Sequence, residues 1–167
     1  MIRSCVIAAT TAVAALAGVN AWAAESLPSE THKVLPSALA VEAAQQAIAT
    51  CKGQGYNVAV TITDRVGTPT LLIVGDGSGA LSREISRRKA YTSASLRVST
   101  ADFAKRVAGG GFNPSVFDPQ LVTAAGGVPI KVGNDTIAAI GVSGAPGGDK
   151  DEACADAGLA KIKDHLQ

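Results

Sequence analysis

Two groups of strand-forming residues, each closed by its own short glycine-bearing turn, constrain this chain most. In the first, Tyr56-Asn57-Val58-Ala59-Val60-Thr61-Ile62-Thr63-Asp64 alternates β-branched residues, Asp64-Arg65-Val66-Gly67 turns, and Pro69-Thr70-Leu71-Leu72-Ile73-Val74 returns. In the second, Leu121-Val122-Thr123 is a short candidate strand and Val128-Pro129-Ile130-Lys131-Val132 a stronger one. After the turn Gly133-Asn134-Asp135 comes Thr136–Ser143, apolar enough to be central. Strands joined by turns this short pair antiparallel, because parallel neighbours need a long crossover. Pro129 has no N–H for a ladder, so its strand belongs at an edge or near its own start.

Helical periodicity surrounds these groups. Leu39, Ala40, Ala43, Ala44, Ala47, Ile48 and Cys51 recur at the three-and-four spacing of one helix face, which predicts a helix over Ser37–Lys52 stopped by Gly53 and Gly55. A second helix is expected from about Ser82 to Leu96, after the loop Gly75-Asp76-Gly77-Ser78-Gly79-Ala80. A third covers Asp102–Val107, capped by Ser99 or Thr100. Asp149 with Glu152 three residues on reads as a capping box opening the last helix. The order is therefore helix, two strands, two helices, three strands, helix. That is an α+β single domain over residues 36–167, with a central antiparallel sheet of about five strands flanked by helices.

The N-terminus reads differently. Met1-Ile2-Arg3-Ser4 is a positive head, Val6–Ala17 is apolar, and Ala21-Trp22-Ala23 is a small-x-small cleavage signal, so residues 1–23 read as a secretory signal peptide. The apolar stretch is too short to span about 30 Å of hydrocarbon, and no membrane insertion is expected. Residues 24–35 are polar and aperiodic and read as a flexible leader. The expected location is periplasmic or secreted. Without Arg3, basic and acidic residues are equal in number. Bulk charge thus gives no reason to expect a nucleic-acid partner. The same cut removes Cys5 and leaves Cys51 and Cys154, an even count in an oxidising compartment. A disulfide is expected, with two buried free thiols as the alternative.

Candidate chemistry is limited by what is scarce. The histidines are His32, in the leader, and His165, near the C-terminus. A histidine-based triad or multi-histidine metal site cannot be assembled from them. Gly75–Gly79 lacks the Lys-Ser/Thr ending of a nucleotide loop. The densest polar cluster is Arg83-Glu84-Ile85-Ser86-Arg87-Arg88-Lys89-Ala90-Tyr91-Thr92-Ser93-Ala94, where Ile85, Arg88, Lys89 and Thr92 share one helical stripe. It reads either as a solvated, salt-bridged helix or as an anion-binding face beside a glycine-rich loop.

Five blocks in order, Val58–Gly67, Gly75–Gly79, Ser86–Ala94, Gly126–Ile130 and Ile140–Glu152, resemble the haem-binding or haem-degrading domain family, the GlcG and HbpS type. The resemblance covers roughly residues 36–163. It implies a profilin-like fold, homo-oligomers from dimer to octamer, and haem as a ligand in some members. It further implies that Thr92 is the position of an axial iron ligand, with Arg88 and Lys89 meeting the propionates and Tyr91 alongside; His32 is the fallback ligand. The function expected is a non-enzymatic, exported haem (tetrapyrrole) carrier, sequestration or sensing protein with no catalytic residue. A small-carboxylate-binding accessory module in the same cleft and a weak haem-degrading enzyme are the alternatives.

Overall fold

The computed structural model describes residues 31–167. The signal peptide expected at 1–23 and residues 24–30 of the expected leader lie outside the described residues. Four helices are formed: α1 (Ser37–Gly53), α2 (Ala80–Leu96), α3 (Thr100–Ala108) and α4 (Gly148–Ile162). The strands are β1 (Ala59–Asp64), β2 (Pro69–Val74), β3 (Gly127–Val132) and β4 (Asp135–Ser143), with short 3-10 turns at Pro114–Val116 and Lys163–His165. The sheet order is β2-β1-β4-β3 and every neighbouring pair is antiparallel. As Pro129 requires, β3 is an edge, and β4, buried along nearly its whole length, is central.

Alternation along the central strands divides the interior into two layers. Val60, Ile62, Ile140 and Val142 join Ala40, Ala44, Ala47, Cys154 and Ala155 in one apolar core beneath α1 and α4. The opposite face carries smaller and more polar groups that let α2 lie close. The Thr61 and Ser86 hydroxyls are 2.9 Å apart, and a Cβ at Gly141 would stand 2.1 Å from the Ser86 carbonyl oxygen.

Small residues likewise bring α1 onto α4, where a Cβ at Gly158 would meet the Ala43 oxygen at 2.5 Å. That proximity lets Cys51, at the end of α1, bond Cys154 in α4. Their Cα atoms are 5.6 Å apart, both residues are fully buried, and the bridge spans 103 residues of sequence.

Two local expectations are corrected. Leu121-Val122-Thr123 is not a strand. The Val122 N–H donates to the Thr92 hydroxyl at 3.0 Å instead of to a ladder, so the sheet has four strands. Asp149 is not the cap of the last helix. Gly147 is, and Asp149 falls in the first turn. The glycine pair makes the earlier start feasible, because a Cβ at Gly148 would lie 2.9 Å from the Ala125 oxygen. Reaching back is done by Asp151, whose Oδ1 accepts the Ala145 N–H at 2.9 Å. By contrast, Ser99 caps α3 as expected, accepting the Asp102 N–H at 3.1 Å.

Candidate functional site

The polar cluster of α2 splits into an inward and an outward set. Lys89 is only 2% exposed. Its Nζ donates to Asp151 Oδ2 at 2.7 Å and to the Val142 oxygen at 2.9 Å. Burial presses the Lys89 ammonium below its usual pKa and the Asp151 carboxyl above its own, while the contact between them opposes both shifts. Lys89, expected to meet a propionate, thus has its ammonium engaged within the fold, where it joins α2 to α4 and β4. Thr92 is fully buried as well. Its hydroxyl donates to the Arg88 oxygen at 2.7 Å and accepts the Val122 N–H at 3.0 Å.

Arg88 and Tyr91 reach outward and grip the same segment that Thr92 holds. The Arg88 guanidinium donates to the Pro119 and Gln120 carbonyls. The Tyr91 hydroxyl donates to Asp118 Oδ2 at 2.6 Å, and this bond holds the Asp118 carboxyl below its ordinary pKa and the phenol above its own. Tyr91 can lie low because its ring packs over Gly67, where φ is +90° and a Cβ would be 2.6 Å from the ring. Arg87 binds both oxygens of Glu84 and also Gln120 Oε1.

Together these bonds pin residues 118–122 along α2, and the loop before them displays an apolar surface. Phe112, Val116 and Phe117 are 71%, 72% and 78% exposed. The two rings stack with centroids 6.0 Å apart. Sequence reasoning missed this pair; the available signal was that two of only three phenylalanines fall in a loop rich in glycine and proline. Clustered exposed aromatic surface makes the loop a candidate site of interaction.

The structure takes both histidines elsewhere. His32 lines a cavity of about 380 Å³ with Lys33, Leu35, Arg65, Ile137 and Ala138. His165 lines an adjoining cavity of about 260 Å³, which shares Lys33 and Leu35. No α2 residue borders either cavity. Among the described residues no cluster of three or more His, Cys, Asp or Glu side chains is arranged to hold a metal ion. No helix among them is long and apolar enough to cross a membrane.

A four-stranded antiparallel sheet with α1 and α4 on one face and a cationic helix carrying an aromatic loop on the other defines a small profilin-like α+β domain. The chain belongs to the HbpS-like haem-degrading protein family, whose sequence model matches residues 35–160. A crystal structure of HbpS is 38% identical, superposes with a TM-score of 0.72, and covers 81% of this chain and 93% of its own. A double mutant of Streptomyces reticuli HbpS is 36% identical over 92% of this chain and 97% of its own, with a TM-score of 0.72. A PduOC:haem complex shares the fold at a TM-score of 0.72 with 22% identity, covering 78% of this chain and 96% of its own. No curated protein sequence matches the chain.

Proposed function

We propose that this protein is exported, binds haem or a related tetrapyrrole, and holds it without degrading it. The observation that carries the reading is the joint presentation, by α2 and the loop it anchors, of guanidinium groups and stacked aromatic rings. A tetrapyrrole needs both kinds of contact: flat apolar surface for the macrocycle and cations for two propionates. Phe112 and Phe117 supply the first; exposed Arg83, and Arg88, whose partners are the neutral Pro119 and Gln120 carbonyls, supply the second, whereas Arg87 is already paired with Glu84. When bound, the group contributes an iron centre whose chemistry depends on its axial ligands.

Thr92 would be the residue nearest the iron, as the resemblance implies; its hydroxyl is buried against the Arg88 oxygen and the Val122 N–H, so this role would require the segment at Val122 to move aside. Tyr91 is a weaker candidate in this arrangement, because its proton is held by Asp118. The surface is open, and macrocycle oxidation calls for an electron source and a shielded oxygen pocket. Binding without turnover is accordingly favoured over degradation. Export follows from the Met1–Ala23 pattern, and the buried Cys51–Cys154 bridge is the kind of bond that persists in oxidising compartments.

A small-carboxylate role has one observation in its favour, the His32 cavity. Its volume of about 380 Å³ lies toward the low end of ordinary ligand pockets, and Lys33 and Arg65 border it. Titrating purified protein with hemin separates the readings. A saturable Soret shift, stable under reductant and oxygen, supports the haem-holding role; bleaching under those conditions supports turnover. Absence of any saturable shift at micromolar hemin leaves the small-carboxylate role.

A further inference from the structure

At the end of the sheet where β1 turns into β2, the helical layer gives out. Helix α1 begins at Ser37 and α4 stops at Ile162. The strand ends are covered there by the nonhelical residues His32–Leu35. Leu35 packs against the apolar core, and the Lys33 ammonium donates to the Gln167 oxygen at 3.0 Å. Such a strap fills less space than a helix, and the cavity of about 380 Å³ beside His32 is what it leaves. A second cavity, of about 390 Å³, shares Val34, Leu35 and Thr70 with the first and continues along α1 to Val41 and Leu71.

The lining of the first cavity is of two kinds. Leu35, Ile137 and Ala138 give it an apolar wall, whereas Lys33 and Arg65 bring cations to it. The Arg65 side chain is 25% exposed, and its acidic neighbour Asp135 is 3.9 Å away, too far for a hydrogen bond. Asp64 also borders the cavity, but its Oδ1 accepts the Val66 and Thr68 N–H groups, each at 2.9 Å, which turns that carboxylate into the hairpin. A largely buried guanidinium with donors left over, beside an apolar wall, suits an anion with one charged end and a hydrocarbon body. A second polar group on the ligand would face Leu35 and Ile137 and lose its water without gaining a partner.

We propose that this cavity binds an aliphatic monocarboxylate. Its carboxylate meets Arg65, with Lys33 adding positive charge, and its chain lies on Leu35, Ile137 and Ala138. Because Leu35 and Thr70 are walls of both cavities, a longer chain gains room by passing them toward Leu71. The site is separate from the α2 face, none of whose residues borders it. The inference rests on the small-carboxylate reading of this cavity, which it narrows to acyl acids, and is independent of the haem reading.

Isothermal titration calorimetry of the purified protein with octanoate, hexanoate, acetate and octan-1-ol tests it. Octanoate is expected to bind saturably, on the order of tenfold tighter than hexanoate, since each buried methylene is worth about fourfold, and far tighter than acetate. Arg65→Gln is expected to weaken octanoate about tenfold and to leave octan-1-ol unchanged, because only the charged head uses the guanidinium. Thr70→Phe, at an exposed β2 position bordering both cavities, is expected to weaken octanoate by a similar factor without altering circular dichroism. Acetate binding as tightly as octanoate overturns the acyl inference and leaves the small-carboxylate reading standing; no binding by any of the acids overturns both. The inference is also overturned if Arg65→Gln or Thr70→Phe binds octanoate like the wild type, or if hemin displaces octanoate in competition.

Discussion

Lys89 shows how a residue's role depends on partners far away in sequence. Within α2 it is one cation among four, and nothing in that segment separates it from Arg88. Folding places Asp151, 62 residues on, 2.7 Å from its Nζ. Removing one partner of such a buried pair strands the other charge. Lys89→Ala is expected to cost about 3 to 5 kcal/mol in urea unfolding, and Lys89→Met combined with Asp151→Leu far less. A near-neutral single variant would mean that the pair is not closed in solution. Glu152 offers a pH-dependent counterpart. Burial, and secondarily Asp156, pushes its carboxyl above 4.5, and Oε2 has no partner. The folded chain therefore holds this proton more readily than the unfolded chain. Its contribution to stability grows as pH falls through the raised value and is complete below 4.5. Glu152→Gln should raise Tm at pH 7, with the advantage shrinking as melts are taken toward pH 4.5; an advantage constant with pH contradicts this.

At the scale of elements, much was legible because periodicity and turn chemistry are local. The first hairpin, the edge position of Pro129, the centrality of Thr136–Ser143 and the α3 cap all follow from neighbouring residues. The departures arise where tertiary contacts compete. Val122 spends its N–H on Thr92, and the α4 start is set by the close approach of Gly148 to Ala125. The α2 cluster was likewise visible as a cluster, but not its division into buried Lys89 and Thr92 and surface-facing Arg88 and Tyr91. The sequence shows the aromatic loop only as a loop, since exposure cannot be told from two phenylalanines in an aperiodic stretch. The Cys51–Cys154 bridge was legible from compartment and count, and it ties α1 to α4. Closing a loop of 103 residues contributes on the order of 4 to 5 kcal/mol in the chain-entropy treatment, with smaller values common in practice. Reduced protein should unfold at clearly lower urea. Two titratable thiols in unreduced, unfolded protein would contradict the bridge.

For the whole molecule, the proposed export and the haem-holding surface have separate readouts. Protein recovered after export should begin at Ala24 by intact mass; a mass retaining residues 1–23 would contradict cleavage after Ala23. The central claim is that haem lies on the face built by α2 and the 112–120 loop. Absorbance titration with hemin tests it most directly, comparing wild type with Arg83→Ala/Arg88→Ala, Phe112→Ser/Phe117→Ser, Thr92→Ala and the control Lys161→Ala. The account predicts at least tenfold weaker binding for each of the two double variants, a changed Soret position for Thr92→Ala, and no change for Lys161→Ala. If both double variants and Thr92→Ala bind with wild-type affinity and spectrum, this face is not the haem site.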